Sequence, residues 1–128
     1  MKKIITTLKA PSPIGPYNQA ILAYDTLYLS GQIGLDPHTM EVVVGGVKEE
    51  TKQVMKNLKA VLEAAEMTFD NVVKSSIFLT NMNDFAQVNG IYGSYFNNET
   101  APSRETIAVK TLPKNVRVEI SMLSLIHI

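Results

Sequence analysis

The sequence predicts an α+β sandwich: one mixed β-sheet of about six strands with two helices on one face. Three observations carry this. Short runs of β-forming residues are bounded by Gly, Pro, Asp and Asn. Two segments instead place apolar residues at helical spacing, giving the order strands, helix, strand, helix, strands, with no internal repeat. At 128 residues, with 45% hydrophobic and 19% charged residues, the chain reads as a single domain over 1–128 with its own core.

Lys3 to Leu8 alternates weakly and reads as a short edge strand, whereas Ala10 to Pro16, with three prolines, must be loop. Gln19 to Tyr24 and Leu27 to Ile33 flank Asp25-Thr26 and read as a hairpin. Gly34 to Gly46 is turn-rich, with a short strand at Val42-Val43-Val44. Val47 to Glu66 is the clearest helix: Val47, Val54, Leu58, Val61, Leu62 and Ala65 form one stripe, and Lys48, Lys52, Lys56 and Lys59 line the wet side. Asn71 to Thr80 reads as a strand. A second helix, capped by Asn83 or Asp84, carries Phe85, Val88, Ile91, Tyr92, Tyr95 and Phe96. Gly90 and Gly93 within it point to a backbone passing close by. Glu105 to Leu112 and Val116 to Leu125 are the closing strands, joined by Pro113-Lys114-Asn115. Along the last, Val116, Val118, Ile120 and Met122 face one way and Arg117, Glu119 and Ser121 the other. Two helices cover one sheet face, while Leu27, Leu29, Ile77, Leu79, Ile107 and Val109 look like more apolar groups than that face needs. A homo-oligomer built through the sheet follows as an expectation.

Charge and composition narrow the function. Twelve Lys+Arg balance twelve Asp+Glu, which argues against a general nucleic-acid binder. No cysteine is present, so disulfides, thiolate nucleophiles and zinc–thiolate sites are excluded. Two histidines, His38 and His127, cannot make a three-His metal site, and no metal or other cofactor is expected. The apolar start at Ile4-Ile5 is broken too early for a signal peptide, no stretch is long enough for a membrane helix, and a cytoplasmic location is expected.

Arg104 follows Ala101-Pro102-Ser103 at the start of a strand; a rigid guanidinium there suits bidentate carboxylate recognition, or is an exposed charge at a strand end. Glu119 lies mid-strand between Val118 and Ile120, either as a water-positioning acid/base or as a cross-strand ion-pair partner. Tyr17, after Gly15-Pro16, walls a pocket or packs its loop; Gly31, after Ser30, admits a ligand to the backbone or ends a strand. Asn89 sits on the second helix, where an Asn more often bridges backbone groups. There is no Gly-x-Ser-x-Gly elbow and no phosphate loop.

Ile14-Gly15-Pro16-Tyr17, Ser30-Gly31-Gln32-Ile33, Asn57-Leu58 through Ala64-Ala65, Val73-Lys74 through Asn83-Asp84-Phe85, Ala101-Pro102-Ser103-Arg104, Leu112-Pro113 and Val118-Glu119-Ile120 together resemble the RidA family, also called YjgF or L-PSP. The resemblance spans nearly the whole chain. It implies a chorismate-mutase-like fold, a homotrimer with sites at subunit interfaces, and a cofactor-free enamine/imine deaminase that hydrolyses 2-aminoacrylate and related 2-imino acids to 2-keto acids and ammonia. By that resemblance Arg104 clamps the substrate carboxylate, Glu119 orients water, and Tyr17, Ser30, Gly31, Asn89 and Thr106 contact substrate. The chain departs from the pattern at Thr106, where many relatives have Cys, and at Glu66, where the first helix usually ends in Gly. The tail Ser124 to Ile128 is more apolar than usual, fit to pack on a neighbour. Competing classes implied by the same family are an endoribonuclease or translation inhibitor, and a non-catalytic module that binds small carboxylates.

Overall fold

The computed structural model describes residues 1–127; of the apolar tail, Ile128 lies outside them. In chain order the elements are β1 (Lys2–Ile5), β2 (Ala20–Ala23), β3 (Thr26–Gln32), α1 (Val47–Ala64), β4 (Val72–Leu79), α2 (Phe85–Gly93), β5 (Ser103–Ala108) and β6 (Val118–Leu125). The strands form one mixed six-stranded sheet in the order β1-β2-β3-β6-β4-β5. All neighbours are antiparallel except β4 and β5. The two closing strands therefore do not pair: β6 inserts between β3 and β4, and β5 takes the outer edge. A parallel β4–β5 pair needs a crossover, which α2 and its flanking turns provide.

Both helices lie on one face. Leu27, Leu29, Ile77, Leu79, Val118, Ile120 and Met122 point beneath them and are buried with Val54, Leu58, Val61 and Leu62 of α1. Four of the six residues expected to overload the sheet are thus ordinary core. Of the other two, Ile107 is exposed and Val109 half-buried. The open face carries Tyr28, Phe78, Glu119, Ser121 and Leu123, by their alternation with the buried set.

Local chemistry explains where elements begin and end. β2 and β3 join through Tyr24-Asp25, with Tyr24 at φ 56°. The Val42–Val44 strand shrinks to one bridge, Leu35 with Val42. At the end of α1, Glu66 takes the left-handed position (φ 60°) that the family resemblance assigns to Gly. Glu66 N–H then donates to Glu63 O, and Met67 N–H to Leu62 O, each at 2.9 Å. This is a Schellman termination, held together by burial of Met67 and Leu62. Before α2, Asn81 rather than Asn83 or Asp84 supplies the capping oxygen, accepting from Asn83 N–H at 2.9 Å. The Asp84 carboxylate is engaged elsewhere, accepting from Arg117 Nη2 and Nε at 2.9 and 3.2 Å. Gly90 and Gly93 were expected to admit a neighbouring backbone, but among the described residues nothing outside the local helix lies within 4 Å of a Cβ at either position.

Candidate functional site

A cavity of about 390 Å³ opens beside the proline loop. It is walled by Pro11, Ile14 and Tyr17 from that loop, Ser30 and Gly31 from β3, and Glu119 from β6. Its shape begins in the loop sequence. Tyr17 N–H donates to Gly15 O at 2.9 Å across Pro16, a three-residue turn that proline's fixed φ favours. Ile14 N–H donates to Tyr17 Oη at 3.3 Å, folding the phenol back over the loop.

A β-bulge shapes the opposite wall. Between Leu29↔Met122 and Gln32↔Ile120, β3 advances three residues while β6 advances two, so Ser30 and Gly31 share the place of one residue. Ser30 Oγ donates to Asn18 O at 2.6 Å, and Ser30 N–H to Gln19 O at 3.0 Å, which fastens the bulge to the loop. Gly31 leaves room for Glu119 as it stands: a Cβ here would overlap the carboxylate, standing 2.9 Å from its Cδ, and push the side chain aside. The Glu119 side chain makes no hydrogen bond to any described residue, so the cross-strand ion pair that its position allowed does not form. Burial pushes its carboxyl above the usual glutamate range.

The second half of the predicted site lies elsewhere. On β5, Arg104 pairs with Ser75 of β4. Ser75 is fully buried on the helix side, where Tyr92 Oη donates to its Oγ at 2.8 Å. Arg104 therefore belongs to the helix face of the sheet. Glu119 pairs with Phe78, one residue along β4 from the buried Ile77, and belongs to the open face. The two residues on which carboxylate chemistry was expected to converge point to opposite sides of one sheet.

Arg104 is exposed but firmly oriented. Its Nη1 donates to Asn89 Oδ1 at 2.8 Å. Its guanidinium lies 5.2 Å from the centre of the Tyr92 ring and 5.7 Å from that of Phe85. Asn89 is thus exposed and bound to a side chain, not the half-buried backbone bridge expected of it. Thr106 lies two residues beyond Arg104 on the same face, paired with Ile77. Its hydroxyl oxygen is buried and has no hydrogen-bond partner among the described residues. The expected site residues therefore fall into two separate groups in one chain: Tyr17, Ser30, Gly31 and Glu119 at the cavity, and Arg104, Asn89 and Thr106 at α2 and the adjoining β5.

Two buried amides escaped the sequence reading as site residues. Asn57 Nδ2 donates to Ile33 O and Leu35 O, at 3.2 and 3.0 Å, fixing a segment of the cavity wall to α1. Gln19 similarly fixes the proline loop. The available signal was polarity out of place: Asn57 stands on the apolar stripe of its helix, and Gln19 directly precedes an apolar strand. Among the described residues, no group of three or more His, Cys, Asp or Glu is arranged to hold a metal ion.

The fold and cavity define a class: small two-helix, six-stranded sandwiches of the YjgF type. The family described as Endoribonuclease L-PSP matches residues 7–126. A RutC family protein of Synechocystis is 52% identical over 125 residues, covering 97% of this chain and 96% of that protein. The mouse 2-iminobutanoate/2-iminopropanoate deaminase is 48% identical over 124 residues, covering 97% of this chain and 91% of that protein. The crystal structure of Escherichia coli TdcF with bound serine superposes with a TM-score of 0.90 at 35% identity, covering 96% of this chain and 98% of that one. The chain belongs to the RidA/YjgF/L-PSP family.

Proposed function

We propose that this protein is a cytoplasmic 2-iminobutanoate/2-iminopropanoate deaminase, a single-domain hydrolase working as a homotrimer with sites between subunits. The observation that carries the reading is the division of the site. A carboxylate with no hydrogen-bond partner among the described residues faces a cavity on one side of the sheet, and an oriented guanidinium stands on the other. Neither half suffices for a carboxylate-bearing imine, but neighbouring copies can supply one half each. Two further facts support the reading: the 48% identity to the mouse deaminase, and the serine bound in TdcF, an amino acid whose carboxylate likewise adjoins a nitrogen-bearing C2.

In this reading Arg104 grips the substrate carboxylate, already aligned by Asn89 and the Phe85 and Tyr92 rings. Tyr17, Ser30, Gly31 and Thr106 line the remaining contacts. 2-Aminoacrylate tautomerises to 2-iminopropanoate, gaining a proton at C3 and losing one from nitrogen. Water, oriented by Glu119, then adds its oxygen to C2. Glu119 accepts a proton from that water and returns it to nitrogen, giving a 2-amino-2-hydroxy intermediate; the hydroxyl proton then passes to nitrogen, the C2–N bond breaks as the C2 carbonyl forms, and ammonia leaves with the 2-keto acid. Holding the carboxylate and one water in register supplies the orientation that a mild hydrolysis needs. No cofactor takes part in this scheme.

The test is interception. An amino-acid oxidase or threonine dehydratase generates the imine in the presence of semicarbazide, and the protein is expected to divert it to keto acid while Arg104→Ala is not. No diversion by the wild type, across several imino acids, would exclude the deaminase and favour a carboxylate-binding module. The family's ribonuclease description motivates the alternative reading, and RNA cleavage surviving both Arg104→Ala and repurification would support it.

A further inference from the structure

We infer that Gln19 is a positioning residue that sets ligand affinity in the cavity, by fastening the proline loop on one side and the Ser30–Gly31 bulge on the other. The inference rests on reading the cavity as the substrate site.

The need for such a residue follows from the loop's composition. Pro11, Pro13 and Pro16 have no N–H, so the segment holds more carbonyl acceptors than its own backbone donors can match. Two of its residues, Ala10 and Pro11, are also buried, where an unpaired carbonyl is costly. The Gln19 side chain fills this deficit. It is 3% exposed. Its Nε2 donates to Thr7 O at 3.0 Å, Ala10 O at 3.2 Å and Pro11 O at 2.8 Å, with two protons shared among three acceptors. Its Oε1 accepts from Thr7 N–H at 2.7 Å. Only the amide matches this set: a carboxylate offers no donor and a lysine no acceptor.

The main chain of the same residue works in the other direction. Gln19 O accepts Ser30 N–H, and the preceding Asn18 O accepts Ser30 Oγ. One residue thus ties Pro11 to Ser30, both lining the cavity, with Ile14 and Tyr17 on the span between. Glu119, in contrast, is held by the β6 ladder, independently of Gln19. Loss of the Gln19 amide is therefore expected to loosen the binding wall and leave the water-positioning carboxylate in place.

The experiment compares wild type with Gln19→Met, which keeps length without hydrogen bonds, and the milder Gln19→Asn, which keeps the amide but draws it back by one methylene from its partners. Hydrogen exchange by mass spectrometry reads loop anchoring. Calorimetric titration with 2-oxobutanoate reads affinity, and imine interception reads turnover. Exchange over residues 7–17 is expected to accelerate about tenfold in Gln19→Met, with peptides of α1 and β6 unchanged. The 2-oxobutanoate Kd and the imine KM should each rise about tenfold while kcat stays within about threefold, the pattern of lost uniform binding. Gln19→Asn should shift the same readouts in the same direction if Gln19→Met does not fold. Unchanged exchange over 7–17, or faster exchange with an unchanged Kd, would overturn the inference, as would failure of the wild type to bind 2-oxobutanoate. A wild type that binds 2-oxobutanoate without hydrolysing imines would sink the deaminase reading alone and leave the role of Gln19 standing.

Discussion

Glu119 shows how one side chain carries both a chemical role and a cost. Burial raises its folded-state pKa above the unfolded value, so the protonated form is favoured in the fold. The associated stability is full below the unfolded pKa and is lost as pH rises through the folded one. As pH rises above the unfolded value the wild type therefore loses stability, because ionising this carboxyl in the fold leaves the charge half-buried with no partner among the described residues. Glu119→Gln is expected to unfold at higher urea than wild type at pH 7, with the gap closing as the buffer is acidified, while deaminase turnover drops about 100-fold or more. Wild-type activity should also fall on the acid side at a higher pH than an ordinary glutamate would give. Arg104 makes the converse case. Its two aromatic neighbours and the Asn89 bond suit a planar fork, so Arg104→Lys should recover almost none of the activity lost in Arg104→Ala in the interception assay. At Thr106 the buried hydroxyl lacks a partner, and urea titration of Thr106→Val is expected to show a gain of about 1 kcal/mol.

At the scale of elements, the end of α1 trades backbone strain for tertiary fit. Glu66 adopts φ 60°, a region that costs a non-glycine residue roughly 1 kcal/mol, because the two terminal hydrogen bonds and the burial of Met67 fix the chain's exit. Glu66→Gly should raise stability by about 0.5–1 kcal/mol, read by thermal and urea unfolding, without altering activity. The turn before α2 shows the same competition. Asp84 looked like a cap in the sequence, but tertiary contact recruits its carboxylate to Arg117 at the entry to β6, and Asn81 caps instead. Helix and strand periodicities were legible because each is a local alternation of apolar and polar residues. Caps were less legible, because Asn and Asp near a helix start have several possible partners and only the fold selects one.

For the whole molecule, the sheet divides the chemistry. Arg104 and Glu119 lie on opposite faces, so a site using both must draw them from different copies. Mixing Arg104→Ala with Glu119→Gln chains, each inactive alone, should restore about a quarter of wild-type activity after subunit exchange, because a random pairing of neighbours leaves about that share of sites intact in both halves. A site built within one chain would restore none. Light scattering on the same samples should give three chain masses.

The sequence by itself determined the elements, their order, the composition of the core and the residues able to do chemistry. These follow from side-chain periodicity, from proline and glycine punctuation, and from which groups can bind a carboxylate or orient water. The family pattern was also legible there, in motifs spread from Ile14 to Ile120. Only the tertiary structure decided that β6 would insert between β3 and β4, that Leu27, Leu29, Ile77 and Leu79 would all fit beneath the helices, and that Glu119 and Arg104 would face apart. The physical reason is that strand alternation assigns each residue to one of two faces. Which face of one strand matches which face of another is fixed by non-local pairing, and in this protein by a one-residue bulge at Ser30–Gly31.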